Sequence, residues 1–597
     1  MKPKIHLTAL SNDIFNDNDL ILGEWCIPDS NEKFLPYHWD DIDKMHSDFK
    51  VIDDIYEEVL IIFKDILNEH HKKDFPLKSW RVLIGNWLHT TLHTIYDRYF
   101  IIDFFYKREL FNFKNTEICW YNIKNQDLVF VSSYSTCDSM KRSDVVNQYI
   151  FQFILKNFSK INSPRKKNIK KQNLKSFKKN LKNANFKKNK FLRILLSCAS
   201  FLRRIFSYFR IYHVITNYTR FPKIQDIRLS LNFGSFYLPG IINDNISGSG
   251  QIIFDYELRK NLTKKVLRRI NKSKKLRRNL NTELINIITK LTFELIPFNF
   301  LENFDSLHKK CLLENWVLRK TNIFTSTSFY NNDSFCMSSA IALNNNSNLF
   351  IIQHGGNFGN AKFNSSENHQ RKISSKYLTW GWKEDDNTLP LGVLKPIKKC
   401  DKRIRKKKEV LLISMELYRY SYVSYSGVHS TQWLDYQNDL ERIAVDINSS
   451  GYDLFVRVKP LPDSWNSEKR WRSLNFKIDN TKSFFQSCRE SKIVLCTYNA
   501  ATFLETIYMD IPTLIYWDKE MWEMRPQANK FFETLKKLKI LHYDKISLMK
   551  TLNFAKSIGY LEWWESKNKE KEFLEFKQNY CKDPNTKILK YSSLLKI

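Results

Sequence analysis

The chain has 597 residues, 43% of them hydrophobic and 15% aromatic, with a formal net charge of +33. That is too long for one core and too apolar for global disorder, so two or three domains are expected. The charge admits nucleic acid, an anionic membrane surface or a polyanionic substrate, but it is uneven: 18 Lys and Arg and no acidic residue lie between Lys156 and Arg210.

In chain order, residues 1–155 read as the first part of an N-terminal lobe. KIHLTAL and DLILGEWC have the texture of short strands, and Asp40-Asp41 open a long helix with apolar residues at helical spacing. Trp80 to Tyr106 carries a second long helical pattern. Residues 156–190 are Lys/Asn low complexity, expected to be solvated and mobile, and they open a basic, partly amphipathic insert that runs to about 225. Within it, 191–212 places Arg193, Ser197, Ser200, Arg204, Ser207 and Arg210 on one stripe of an otherwise apolar helix. Beside a polybasic stretch, such a helix suits the anionic inner face of a membrane; the plain alternative is a core helix next to a basic loop.

Residues 226–395 complete the N-terminal lobe, first as basic helical sequence and then as short β-branched runs. NIFTSTS, LFIIQHGG, KYLTWGW, EVLLISM, DLFVRVKP, KIVLCTYN and PTLIYW are expected strands, several of them separated by helices. That alternation predicts an α/β fold of two Rossmann-like lobes with parallel sheets. The charged stretch at 391–409 reads as the connection to a C-terminal lobe at 396–560, and 561–597 reads as a helical tail packing back across the lobes.

Ten cysteines form no CxxC pair and no zinc spacing, and no structural or catalytic metal and no cofactor are expected. No 18-residue apolar run and no signal-peptide pattern are visible, so the expected location is cytoplasmic, with membrane contact only at the periphery through 156–212.

In open α/β sheets ligands bind beyond the carboxyl ends of strands. Three strand ends carry suitable chemistry. After KIVLC, the residues Thr497, Tyr498, Asn499 and Thr502 surround a helix N-terminus that would suit a phosphate, and Glu505 follows about one turn on. In DLFVRVKP, Arg457 and Lys459 share one face of a strand end. In IIQHGGNFG, Gly355 and Gly356 allow a tight turn that aims His354 out of the sheet beside Gln353, with Glu367 and His369 on the next connection. The N-terminal lobe adds Glu24, His38 and Asp40 as candidate bases; capping the following helix is the plain role for Asp40 and Asp41.

LGEWC, LPYHWDD, QHGGNFG, YLTWGW and the IPTLIYWD–EMWEMRPQA block together resemble a family of transferases encoded in O-antigen biosynthesis regions. Its C-terminal half is similar to GT-B glycosyltransferases, CDP-glycerol glycerophosphotransferases and capsule synthesis enzymes. The resemblance implies a nucleotide-activated sugar donor held in the C-terminal lobe by Arg457, Lys459, Thr497, Asn499 and Thr502. It implies a glycan or lipid-linked glycan acceptor in the N-terminal lobe and His354 at the cleft between them. Lys459-Pro460 stands where many relatives have His-Pro. Glycerol- or ribitol-phosphate transfer is the alternative within that fold. A nucleic-acid-binding protein is the alternative from another class, and no RNA- or DNA-binding signature supports it.

Overall fold

The computed structural model describes residues 3–10, 18–161 and 254–584 apart from short gaps, together with strands at 166–169, 213–215 and 235–237. The amphipathic segment 191–212 lies outside the described residues. Two of these strands, 166–169 and 213–215, come from the stretch expected to be an insert, and both join sheets.

The chain forms three parallel sheets. In the first, β1 (Lys4–His6), β2 (Leu20–Ile21), β3 (Glu117–Tyr121) and β4 (Lys166–Ile169) lie in the order β2-β1-β3-β4. The N-terminal strands therefore make their own sheet instead of joining residues 320–390. In the second, β5 (His213–Ile215), β6 (Ser235–Tyr237), β7 (Asn322–Thr325), β8 (Asn348–Ile352), β9 (Lys376–Thr379) and β10 (Thr388–Pro390) lie in the order β10-β9-β8-β7-β5-β6. In the third, β11 (Lys408–Ser414), β12 (Leu454–Val458), β13 (Lys477–Ile478), β14 (Ser491–Cys496), β15 (Thr513–Tyr516) and β16 (Leu541–His542) lie in the order β13-β12-β11-β14-β15-β16. Counted from its own first strand, the third sheet runs 3-2-1-4-5-6, the doubly wound order, with its switch point between β11 and β14. All registers are parallel, as in Ile413↔Cys496 and Ser414↔Val458. The continuous apolar runs of β8, β11 and β14 follow from burial on both faces.

Helix α1 (Ile42–His71) starts where Asp41 accepts from the Lys44 amide at 3.0 Å, and it ends at Lys72 in the left-handed region. Helix α2 (Leu77–Lys107) is buried on nearly every side, because α1, the helices Ser133–Arg142, Asp144–Asn157, Thr282–Glu294, Asp333–Asn344 and Ser365–Ile373 and the 415–431 loop all pack on it. Four more helices position the cleft: α3 (Ser365–Ile373), α4 (Gln432–Ser449), α5 (Ala501–Tyr508) and α6 (Lys571–Tyr580). The tail is helical at Lys571–Tyr580 and touches both lobes. Cys581 Sγ donates to Leu504 O at 3.4 Å in one lobe, while Lys582 N donates to Trp380 O at 3.0 Å in the other. Among the described residues no helix is long and apolar enough to cross a membrane.

Candidate functional site: a cleft where two sets of strand ends meet

The QHGG stretch leaves the carboxyl end of β8. Gln353 is fully buried and fixed: its side-chain oxygen accepts from Trp380 N at 2.9 Å and Trp382 Nε1 at 3.0 Å, and its carbonyl accepts from Trp380 Nε1 at 2.9 Å. It locks the WGW segment under the turn, and its buried Nε2 has no hydrogen-bond partner. Beyond it, Gly355 (φ 140°) and Gly356 (φ 86°) take backbone angles that side chains resist. His354 is half-buried, edge-on to Tyr330 at 6.1 Å and to Phe358 at 5.5 Å. A Cβ added to Gly355 would lie 2.8 Å from the Ala501 Cβ. The turn after β8 thus abuts the first residue of α5, the helix after β14, so strand ends from both large sheets meet at one place.

The same loop is pinned further along. Asn499 donates to Asn360 Oδ1 at 3.1 Å, Arg525 N donates to Asn360 O at 2.8 Å, and Asn357 donates to Ser426 O at 3.2 Å. Glu367, with no exposed surface, accepts from Gly359 N and from the Arg525 guanidinium, both at 2.8 Å. Glu367 therefore holds the loop and binds the lobes to each other. His369 turns the other way. It is buried beside Gly85 of α2, where a Cβ would come within 2.9 Å of its ring, and burial lowers its pKa to about 3. It belongs to the core of the N-terminal lobe.

A polar seam continues the interface. His93, on α2, lies 2.8 Å from Ser421 Oγ and 2.9 Å from Ser424 Oγ, and Ser421 Oγ lies 3.0 Å from His429 Nδ1. Arg98 donates to Ser421 O at 2.9 Å and pairs with Asp97. His38 Nε2 sits 2.8 Å from Asp97 Oδ1. Burial works to raise the Asp97 carboxyl, but Arg98, His38 and Tyr37 outweigh it and hold it well below the usual range. Burial lowers His38, His93 and His429, the last to about 4. His38 Nδ1 is buried without a hydrogen bond. His38 is thus a neutral imidazole in a closed dyad under the seam.

The other N-terminal candidates have structural duties. Glu24 is fully buried; one oxygen accepts from the Phe34 and Leu35 amides at 2.7 and 2.6 Å, and burial raises its pKa against those bonds. Asp40 accepts from Tyr37 N at 2.8 Å and from Lys33 at 2.6 Å, while Asp41 caps α1. Lys33 also reaches Asp435 of the C-terminal lobe at 3.0 Å.

In the C-terminal lobe, Lys459 is exposed at the carboxyl end of β12, on the same sheet edge as Thr497. Two strand spacings separate them, roughly 10 Å. Arg457 does not join it, because its guanidinium donates to Asp479 at 2.5 Å and to Thr481 O at 2.8 Å. Thr497 closes the switch point: it donates to Ile413 O at 2.7 Å and shares a 2.7 Å hydrogen bond with Tyr436, whose hydroxyl also accepts from Met415 N at 2.9 Å. Tyr498 is half-buried beside it, and burial pushes its phenol up. Helix α5 begins with no side-chain cap, and the Thr502 hydroxyl is buried in its first turn beside Cys496 and Tyr498. Glu505 does not face this mouth. It is buried against Lys395 of the interlobe connection, and burial raises its carboxyl while Lys395 opposes the rise.

Sequence reasoning did not single out Arg525, Tyr436, Asp97, His93 or Ser421, Ser424 and Ser426. The serines lie in YRYSYVSYSGVHST, an unusually long connection after β11 in which polar residues replace the expected short turn. That length was the available signal. Among the described residues no group of three or more His, Cys, Asp or Glu could hold a metal.

The fold and the cleft define a two-lobed α/β protein of the Rossmann type. The chain belongs to the LIC12162 family of transferases, whose family model matches residues 4–594, and it is accordingly a transferase. None of the curated proteins matches it. Among solved structures, a similar chain is a protein from Listeria monocytogenes described as a "putative UDP-N-acetylglucosamine 2-epimerase", at 8% identity and a TM-score of 0.33, covering 64% of this chain and 94% of that one.

Proposed function

We propose that the protein is a glycosyltransferase of surface-polysaccharide assembly, moving a sugar from a nucleotide-activated donor to a glycan or lipid-linked glycan acceptor. The observation that carries this reading is the meeting of Gly355 with Ala501. Ligands of parallel sheets bind beyond strand carboxyl ends, and here two such ends open on one cleft, so two substrates bound by the two lobes would meet there. The donor phosphates would lie at the uncapped start of α5, within the turn Thr497–Thr502, with Lys459 free to approach them. His354, from the opposite lobe, is the side chain best placed to act on an acceptor hydroxyl.

A thermal-shift panel of CMP, CDP, UDP, GDP, dTDP and ADP tests this. One nucleotide should stabilise the wild type, by about 2.7 kcal/mol at a hundred times its dissociation constant, and should not stabilise Lys459→Ala. No response to any nucleotide, with tight salt-sensitive RNA binding instead, would overturn the reading.

A further inference from the structure

A second cavity adjoins the turn after β14. It measures about 120 Å3 and lies between the ends of β14 and β15 and the first turns of α4. By the same measure one water takes roughly 10–15 Å3, so the space suits a single ring with its substituents and not a whole nucleotide. Trp517 and Trp522 supply aromatic walls; both are buried. Asp435, Asp439 and Asp518 supply three carboxyl groups, and no Lys, Arg or His lines the space. Asp439 accepts from Tyr516 OH at 2.7 Å and Asp518 from the Glu520 amide at 2.8 Å, each through one oxygen. Lys33 touches Asp435 at 3.0 Å from the other lobe. The Trp517 indole N–H is buried without a hydrogen-bond partner.

These features select a ligand. Aromatic faces pack against the C–H face of a saturated ring. Carboxyl oxygens accept hydrogen bonds from hydroxyls, and charge strengthens them. Lys33 offsets Asp435, but Asp439 and Asp518, with no cation among the lining residues, repel a carboxylate or phosphate on that ring. A cation does not explain the cluster, since these carboxyls do not converge as a metal site requires.

We propose that this cavity holds an uncharged polyhydroxylated ring, namely the transferred sugar or the nucleotide's ribose, and rejects sugars bearing a carboxylate or phosphate. The inference rests on the donor reading above and sharpens it: uronic acids, sialic acids and glycerol phosphate are excluded as the group seated here. Thr497 lines the cavity and also begins the turn proposed for the donor phosphates, so ring and phosphate would be neighbours, as they are in a nucleotide sugar.

The test is 19F NMR of the full chain carrying 5-fluorotryptophan, with Trp517→Phe and Trp522→Phe assigning the two signals. Glucose, N-acetylglucosamine, ribose, glucuronate and glucose 6-phosphate are titrated separately. Neutral rings should move the Trp517 and Trp522 signals, and the two anionic sugars should not. Asp439→Asn should weaken the neutral ring about tenfold and narrow its margin over glucuronate. A response to hexoses assigns the cavity to the transferred sugar; a response to ribose alone assigns it to the nucleotide. Equal responses to glucose and glucuronate, or no response to any sugar, would overturn the proposal. The nucleotide panel is independent of these readings. Nucleotide binding without a sugar response sinks the cavity assignment alone, and a sugar response without nucleotide binding sinks the donor reading.

Discussion

Arg525 donates to Glu367 at 2.8 Å from the opposite lobe, and the Glu367 side chain has no exposed surface. The same carboxylate accepts the Gly359 amide, so one buried ion pair fixes both the lobe interface and the loop that carries His354. Removing Arg525 leaves the buried carboxylate only Arg371, 3.5 Å from its other oxygen, so the cost falls near the low end of the about 3–5 kcal/mol of a fully uncompensated buried charge. Arg525→Ala should therefore lose about 3 kcal/mol in chemical denaturation. Arg525→Lys should lose less yet still loosen the loop, because a lysine cannot replace the forked contact to Glu367 and Ala361. If Arg525→Ala unfolds at the wild-type denaturant midpoint, the pair does not hold the interface.

Gly355→Ala probes the approach of the two strand ends. The φ of 140° and the 2.8 Å approach to Ala501 both resist a side chain. Strain of about 1–3 kcal/mol is expected, together with weaker nucleotide binding as α5 is pushed back. Adding Ala501→Gly should restore part of the binding, since it removes the clash and leaves the backbone strain. Calorimetric titration of the nucleotide that the panel selects would show this. A double variant no better than the single one would mean that the contact does not set the cleft.

The seam histidines predict acid sensitivity. Burial lowers the folded-state pKa of His38, His93 and His429, the last to about 4, against about 6.5 in the unfolded chain. The unfolded state then binds protons that the folded state refuses. The stability these residues contribute is fully present above pH 6.5 and is lost as pH falls from 6.5 toward 4. Melting temperature should drop across that window, and His429→Asn should flatten the drop while lowering the neutral-pH value. An unchanged slope in that variant would remove His429 from the titrating set.

Tyr436→Phe tests the tie at the switch point. Its hydroxyl joins Met415 N to Thr497 across the ends of β11 and β14. Deletion should cost about 1–2 kcal/mol by leaving the Met415 amide short of a partner. It should also weaken nucleotide binding, since Tyr436 lines the cavity and its hydroxyl holds Thr497 of the turn proposed for the donor phosphates. An unchanged nucleotide response in a folded Tyr436→Phe would separate the tie from the donor site.

Lys459→Ala should abolish the nucleotide-induced thermal shift without changing the melting temperature of the ligand-free protein, because Lys459 is exposed and carries no ion pair among the described residues. A variant that still responds fully would move the phosphate contact elsewhere along the sheet edge.

Much of the architecture was legible in the order of residues. The runs LFIIQ, EVLLIS and KIVLC are strands because unbroken β-branched and leucine stretches suit parallel sheets covered on both faces. Asp41 opens α1 as its capping chemistry demands. The glycines after His354 take positive φ, as the turn requires. The low-complexity stretch misled in part: Lys166–Ile169 pairs with β3, because backbone pairing needs no particular side chain, and composition alone marked these residues as solvated.

Side-chain roles were a different matter. Arg457 and Lys459 share a strand face in sequence, yet Arg457 is taken by Asp479, 22 residues on, and Lys459 stays free. Glu505 and Glu367 both read as cleft carboxylates, and Lys395 and Arg525 claimed them. His93 meets Ser421 across 328 residues of chain. By itself the sequence determined most strands of the two large sheets, the long helices and the glycine turn after His354, since those follow from local periodicity, capping and glycine. Only the tertiary structure decided which polar groups face the cleft and which are consumed by partners, because a buried polar atom takes whichever partner the packing brings to it, however far away that partner stands in the chain.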